Sequence, residues 1–592
     1  MLDRRWVQIL ILCGWIVLGA VLRFAYLADK PLWTDEVATI VFSLGNSFQP
    51  VPLNEVLTAD QLIEPLRMNP EAGAASVLDH LLGESNHPPL YYLLTHYWLR
   101  LFPTDDGLVS LWGVRSLAAL FGVLSIPAVF GLSWLAFRSV LAAQFAAALM
   151  AVSPFGVYLA QEARHYTLGI LWVTASLAGL ILAVRSLYHG KPLSAWACAG
   201  WVLVNWLGIA THYFFVLTLI AEAAVLVGAG VDLLRLRKGL SYLLSGWRIG
   251  AVMAFTTVGG LVWIPFLRGV HDSELTQWLL HNGMGWRWKD PLLQSFAGWT
   301  TMLYLLPVQA PVRWIKFGSA IVMGILVIWT IPKLYRGLKR LHQSQGAIAR
   351  DGVGILGGFV VASVLTFWLI TYGFGRDLTV AFRYNFVFFP AVIVLVGGAL
   401  AGIWETADRK VVFPASQIGD RLWRKLSQPN HRAVVLILVM AMVSAMTVLS
   451  NLGYQKTHRP DVVTAEIEGR MRRQRPVLVA IAFQTHGQTG RLISLAWDFL
   501  HHPELEQSPE QIPRFLLATQ EYRDPTPAYN RVKQVLAETP EPLDLWLINF
   551  NAPPLSSRRE VFAAENCEQR SRRFQVDGYK YQLYRCRRRN AA

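Results

Sequence analysis

Residues 6–28 read WVQILILCGWIVLGAVLRFAYLA and follow directly on Arg4 and Arg5. The run is too long for the apolar core of a signal peptide, which holds about 7–15 residues. It is long enough for a membrane span, which needs about 20. The segment is therefore read as an uncleaved spanning helix with its N-terminus inside. Comparable apolar blocks recur at 108–136, 141–161, 165–187, 193–212, 213–234, 247–267, 311–332, 353–374, 384–404 and 433–452. Together they predict a polytopic α-helical membrane protein of about eleven spans, within a range of about 9–13.

Composition agrees. The 592 residues are 54% hydrophobic and 16% charged, with 23 Trp, 29 Phe and 19 Tyr. Mean hydropathy is +0.36. Such a chain is neither disordered nor collagen-like. Four Cys are too sparse for a disulfide scaffold. The formal net charge of +15 calls for no nucleic acid, because basic residues of membrane proteins collect in cytoplasmic loops.

Orientation follows from those basic residues. With the N-terminus inside, alternate connections carry Arg138; Arg185 and Lys191; Arg235, Arg237 and Lys238; Lys333, Arg336, Lys339 and Arg340; and Arg409, Lys410, Arg421, Arg424 and Lys425. The positive-inside rule puts these in the cytoplasm. An odd number of spans then puts the C-terminal region outside.

The opposite connections hold TDE at 34–36, HPPLYY at 87–92, QEARHY at 161–166, THYFF at 211–215, HNGMGWRWKD at 281–290 and GRDLTVAFRY at 375–384. They gather His, Arg, Asp, Glu and aromatic residues on one membrane face. The stretch 89–102, PLYYLLTHYWLRLF, is too short to span and reads as an amphipathic helix on that outer face, opened by Pro88 or Pro89.

Beyond Asn451 the sequence turns polar. The runs 477–483, 543–550 and 579–585 read as strands, and Asp577-Gly578 as a hairpin turn. Residues 1–452 thus form a membrane domain and 453–592 an extracytoplasmic soluble α/β domain. Cys567 and Cys586 could pair there in an oxidising compartment. Cys13 and Cys198 fall in spanning helices, as packing residues.

Each polar motif has a bland and a functional reading. Thr34 could cap a helix whose first turn carries Asp35 and Glu36, or a carboxylate could be held just outside the membrane to take a proton from a hydroxyl. His87 could be solvated at a helix start, or sit near a phosphate with Tyr91 and Tyr92 at the lipid interface. Arg164 could snorkel, although Gln161, Glu162, His165 and Tyr166 around it can all hydrogen-bond, which suggests a cavity. His212 beside Tyr213 could be an interfacial residue or a ligand. Arg383, near Arg376 and Tyr384, could bind phosphate in a bidentate fork or anchor a helix end. No metal-binding spacing, Walker A loop or dinucleotide fingerprint occurs; no cofactor is expected, and a divalent metal finds no support in the spacing.

In this order PLWTDE, HPPLYYLLTHYWLRLF, GVRSLAALFGVLSIPAVFGLSWLAF, SPFGVYLAQEARHYTLG, THYFF and FRYNFVFFPA resemble bacterial GT-C membrane glycosyltransferases of the protein-mannosyltransferase type. That group includes the aminoarabinose lipid A transferases and the rhizobial core-sugar transferases. The resemblance covers 1–230 and, more loosely, 350–400; the C-terminal domain lies outside it. It implies a polyprenyl-phosphate sugar donor, a glycolipid, polysaccharide or protein acceptor, and inversion at the sugar's C1 on the outer face of the cytoplasmic membrane. It implies Asp35 as catalytic base, with Glu36 completing the acidic pair. It places Arg164 and His165 by the donor phosphate, where His87, His212 and Arg383 could also serve. The remaining motif residues, Tyr91, Tyr92, Gln161, Glu162, Tyr166, Tyr213, Arg376 and Tyr384, would line the substrate. His87 stands where the aminoarabinose transferases carry Lys, which sets this chain apart from them. Competing readings are a flippase or transporter of lipid-linked sugars, and a ligase moving a whole glycan from a lipid pyrophosphate. A transporter would carry its ionisable residues near mid-bilayer, with inverted repeats; here the charged motifs gather at one face.

Overall fold

The computed structural model describes residues 5–235, 246–267, 287–344, 346–407, 431–472, 475–502, 505, 511–521, 524–539, 542–551 and 561–587. Arg237, Lys238, the basic residues between 409 and 425, and positions 281–286 of the HNGMGWRWKD motif lie outside them. The chain divides into two compact units. One comprises residues 1–27, 86–91 and 115–455; the other comprises 28–85, 92–114 and 456–592.

The first unit is helical. Among the described residues, seven helices are long and apolar enough to cross a membrane: Arg5–Phe24, Leu111–Phe137, Tyr166–His189, Phe215–Arg235, Arg313–Gln343, Ile348–Gly373 and His431–Leu449. An eighth crossing results if Val140–Val152 and Pro154–Ala160, bent by 54°, count as one. The remaining apolar blocks also fold as helices, but shorter ones: Ala195–Thr211, Phe389–Glu405 and Trp247–Leu261. Each falls short of the ~20 residues of a full span, which is why seven or eight crossings are found where about eleven blocks were read. The chain is a polytopic α-helical membrane protein with a distinct C-terminal α/β domain.

The bend has a local cause. Pro154 has no N–H to give to the carbonyl of Met150, four residues back, and the helix stops at Val152, so the carbonyls of Met150 and Ala151 need other donors. Arg23, fully buried within the first apolar run, supplies them: its Nη2 donates to Met150 O at 2.7 Å and its Nη1 to Ala151 O at 2.9 Å. Glycine makes room for the guanidinium. A Cβ on Gly122 would lie 3.0 Å from Arg23 Nε, and one on Gly156 would lie 3.3 Å from Nη2. Cys198 is half-buried, whereas Cys13 is exposed on its helix, so Cys13 is not the packing residue its position suggested.

The second unit is built on a seven-stranded sheet. Its strands are β1 (Val56–Leu57), β2 (Val477–Phe483), β3 (Arg514–Thr519), β4 (Leu543–Ile548), β5 (Cys567–Gln569), β6 (Phe574–Val576) and β7 (Tyr579–Cys586), in the order β1-β3-β2-β4-β7-β5 with β6 on β7. Strands β3, β2 and β4 run parallel and are joined through the helices His486–Leu500 and Thr526–Glu538. A parallel sheet is covered on both faces, hence the unbroken apolar runs of β2 and β4. Gly578, with φ +82°, turns β6 into β7. Cys567 and Cys586 face each other across β5 and β7 and are joined by a disulfide. The segment after the first span contributes to the same sheet: Val56 pairs with Leu516, and Asn54 Oδ1 accepts from Thr519 N at 3.0 Å.

The apolar stretch 89–102 folds as the ten-residue helix Leu90–Leu99 after Pro88-Pro89. Thr95, His96 and Leu99 are buried and Leu94 and Tyr97 exposed, and His96 Nδ1 lies 2.8 Å from Ser43 O.

Candidate functional site

In the membrane unit, the break between the helices Pro154–Ala160 and Tyr166–His189 is formed by QEARHY. Gln161 is tied down there, its Nε2 donating to Ala25 O at 2.9 Å. Glu162, Arg164, His165 and Tyr166 are all buried. Arg164 Nη2 donates to His87 Nε2 at 3.2 Å, so His87 is the acceptor there and carries its proton on Nδ1. His165 packs against four rings, with centroid separations of 4.4 Å to His212, 4.6 Å to Tyr166, 5.6 Å to His87 and 6.1 Å to Tyr91. His212 also meets Tyr384, at 6.3 Å.

His165 is 0% exposed, and neither of its ring nitrogens has a hydrogen-bond partner among the described residues. Burial holds the imidazoles of both His165 and His212 well below the ordinary histidine range. The neighbouring cations Arg164 and Arg383 and the other imidazoles push them in the same direction. Two arginines and three histidines thus converge on one buried spot with a polar group unsatisfied. An anion suits such a place: it would accept from the arginines and from an imidazole N–H, and it would lift the imidazoles back toward protonation.

Not every expected lining residue joins this cluster. Tyr213 is half-buried and turns to Trp263, with centroids 5.9 Å apart. Arg376 sits in a loop where the neighbouring Asp377 accepts from Thr379 N at 2.9 Å, and no contact with the histidines is found for it among the described residues. Tyr92 lies in the other unit, 6.5 Å from Phe42.

In the second unit, Thr34–Ser43 is a helix with Asp35 and Glu36 in its first turn, where carboxylates favour the helix dipole. Its N-cap is Trp33, which makes no side-chain capping bond. Thr34 therefore does not cap it; its Oγ1 lies 2.6 Å from His458 Nδ1. Glu36 is fully buried and paired with Lys456, itself 2% exposed, at 3.2 Å. Asp35 is only half-buried. Gly490 packs on Thr34, where a Cβ would come within 3.1 Å of Thr34 Cγ2. The next residue, Arg491, feels the field of Asp35. Its own charge is weakened by burial, and Tyr579 and Asp35 act against that. Lys456, His458 and Arg491 carry no motif signal, and the sequence reading passed over all three. Among the described residues, no group of three or more His, Cys, Asp and Glu is placed to hold a metal ion.

No protein-family model matches the chain, and no curated protein is significantly similar to it in sequence. Among solved structures it is similar to ArnT from Cupriavidus metallidurans bound to undecaprenyl phosphate, at 13% identity and TM-score 0.47 over 98% of each chain. It is also similar to the archaeal oligosaccharyltransferase AglB from Archaeoglobus fulgidus, at 13% identity and TM-score 0.42 over 84% of this chain and 64% of that one. The arabinosyltransferase EmbB from Mycobacterium smegmatis aligns at 11% identity and TM-score 0.37, over 76% of this chain and 41% of that one.

Proposed function

We propose that this chain is an inverting membrane glycosyltransferase. It moves a single sugar from a polyprenyl-phosphate donor to a glycolipid, polysaccharide or protein acceptor of the cell envelope. The observation that carries this reading is the unsatisfied, fully buried His165 between Arg164, His87 and His212, a ready seat for the donor phosphate. The ordered motifs that resemble the protein-mannosyltransferase type support it. In this reading all eleven apolar helices cross the membrane, the N-terminus is cytoplasmic, and 453–592 is an extracytoplasmic domain.

Asp35 takes the proton of the acceptor hydroxyl as that oxygen attacks C1 from the side opposite the phosphate. The C1–O bond to phosphate breaks, and the transition state is oxocarbenium-like, as in glycoside hydrolysis. The negative charge left on the phosphate is met by Arg164, Arg383 and the imidazoles. One displacement inverts the configuration. The test compares cells lacking the chain after complementation with wild type or Asp35→Asn, using mass spectrometry of envelope glycolipids and glycoproteins. Loss of a base should lower transfer by about a hundredfold to ten-thousandfold at normal protein levels. Near-normal product from Asp35→Asn would remove Asp35 from the mechanism.

A second reading, a flippase of lipid-linked sugars, is favoured by one observation. Glu222 is buried in the apolar helix Phe215–Arg235, and its Oε2 accepts from Ser176 Oγ at 3.0 Å. A carboxyl there could carry protons through a transport cycle.

A further inference from the structure

The described C-terminal residues do more than form a separate sheet. Lys456 reaches Glu36 in an ion pair closed off from solvent on both sides, at 3.2 Å. Two residues on, His458 meets the Thr34 hydroxyl at 2.6 Å and stands edge-on to Trp33 with centroids 5.7 Å apart. His458 is itself held from behind: it packs on Tyr579, centroids 6.3 Å apart, and the Gly578 backbone lies so close that a Cβ there would collide with its ring. Tyr579 in turn donates to Arg491 O at 3.1 Å. Three successive residues of the acidic helix, Thr34, Asp35 and Glu36, are thus each addressed from beyond position 455. Thr34 and Glu36 are met by His458 and Lys456, and Asp35 lies in the field of Arg491, whose Nε has no hydrogen-bond partner among the described residues.

A buried ion pair is a poor source of stability, because desolvation offsets most of the attraction; its best-attested use is to fix one arrangement against others. Glu36 and Asp35 are consecutive on one helical turn. Pinning Glu36 and Thr34 therefore fixes the rotation and axial position of the turn that displays Asp35.

We propose that Lys456 and His458 are positioning residues for Asp35: the start of the C-terminal domain clamps the acidic helix so that its half-exposed carboxylate is held in the reacting geometry. The proposal rests on the function assigned above. It adds that the C-terminal domain, which the motif resemblance leaves uncovered, is part of the catalytic machinery rather than an appendage.

The test uses the full-length purified chain in lipid nanodiscs, a panel of undecaprenyl-phosphate-linked hexoses and pentoses as donors, and an envelope glycolipid and polysaccharide extract as acceptor. Turnover is read as release of undecaprenyl phosphate, and melting is read in parallel. Asp35→Asn is the reference. His458→Ala should lower kcat about hundredfold, the usual consequence of displacing a reacting group by about 1 Å, with donor KM and melting unchanged. His458→Asn, which keeps a polar atom near the Nδ1 position, should recover most of that loss. Lys456→Met should behave like His458→Ala, and Lys456→Arg like wild type. Where Lys456→Met fails to fold, the His458 pair decides. If Asp35→Asn abolishes turnover while His458→Ala and Lys456→Met keep wild-type kcat at wild-type melting, this inference is overturned and the transferase reading stands. If Asp35→Asn itself turns over normally, Asp35 is not the base and the inference falls with that assignment; if the wild-type chain releases no undecaprenyl phosphate, the transferase reading has failed first. A fall in kcat that only tracks a fall in melting, with no recovery in His458→Asn, reduces the contacts to structural support and also overturns the proposal.

Discussion

Replacing His165 with Phe should make the ligand-free protein more stable and the donor site worse. The imidazole is wholly buried, and both of its nitrogens lack partners. A buried polar group left unsatisfied costs about 1–3 kcal/mol, so the two nitrogens together cost about 2–6 kcal/mol. Phe removes both polar atoms and keeps the ring contacts with His212 and Tyr166. Its extra carbons must fit a packed site, at about 1–3 kcal/mol. The balance centres on a gain of about 2 kcal/mol, within limits of about −1 and +5 kcal/mol. The same substitution removes a hydrogen bond to a charged oxygen, worth about 1.5–3 kcal/mol, so undecaprenyl phosphate should bind about ten- to a hundredfold more weakly. Thermal unfolding of the solubilised protein reads the first effect, and native mass spectrometry with undecaprenyl phosphate the second. A variant that melts lower and binds equally well would show His165 to be ordinary core packing, and the phosphate seat would lose its main support.

The lowered imidazoles set a pH dependence. Unfolded histidines bind protons below about pH 6.5, while burial keeps folded His165 and His212 neutral to lower pH. Stability is therefore fully present above pH 6.5 and declines as pH falls from there toward the folded values, by at most about 1.4 kcal/mol per histidine per pH unit. Bound undecaprenyl phosphate should flatten that decline; a melting profile equally steep with and without it would argue against an anion at the cluster. Reducing the disulfide Cys567–Cys586 should destabilise the second unit by about 2–4 kcal/mol, seen as an earlier unfolding step under reductant; an unchanged step would mean the bond constrains little. Glu222→Gln keeps an acceptor for Ser176 and should leave transfer intact. Loss of lipid-linked sugar translocation in that variant, with no transferase product in wild type, would favour the flippase.

How much of this could be read in advance depends on range. The apolar blocks were legible because a span is a local property: about twenty residues without charge suffice, and each block does fold as a helix. The strands at 477, 543 and 579 were legible for the same reason, by their β-rich apolar runs between turn residues. β3, RFLLAT, was passed over; it is identified by its parallel pairing with β2. β1 was passed over because two residues carry none, its existence depending wholly on the pairing with Leu516. Arg23 was submerged in an apolar run; only the distant proline break it serves explains a buried guanidinium there. His87, Arg164, His165, His212 and Arg383 could be guessed as a set because each interrupts or ends an apolar block, where polar residues are conspicuous. Their mutual packing is a tertiary fact that no spacing states.

The acidic pair shows where local reading stops. Adjacent residues on a helix point about 100° apart, so Asp35 and Glu36 cannot both face the same space, and a helix with one packed side must treat them differently. That much follows from WTDE alone. Which of the two is turned inward depends on a lysine 420 positions away by its numbering, at Lys456, which meets Glu36 and not Asp35. With Glu36 enclosed and neutralised by its partner, it has no open side from which to receive a proton from an incoming hydroxyl. Asp35 is half-exposed and in the field of Arg491. A doublet that looks like two equivalent candidates is thus split by one distant contact into a buried, paired Glu36 and a half-exposed Asp35, and if Asp35 is the proposed base, it can be no better placed than the anchor that fixes its helix.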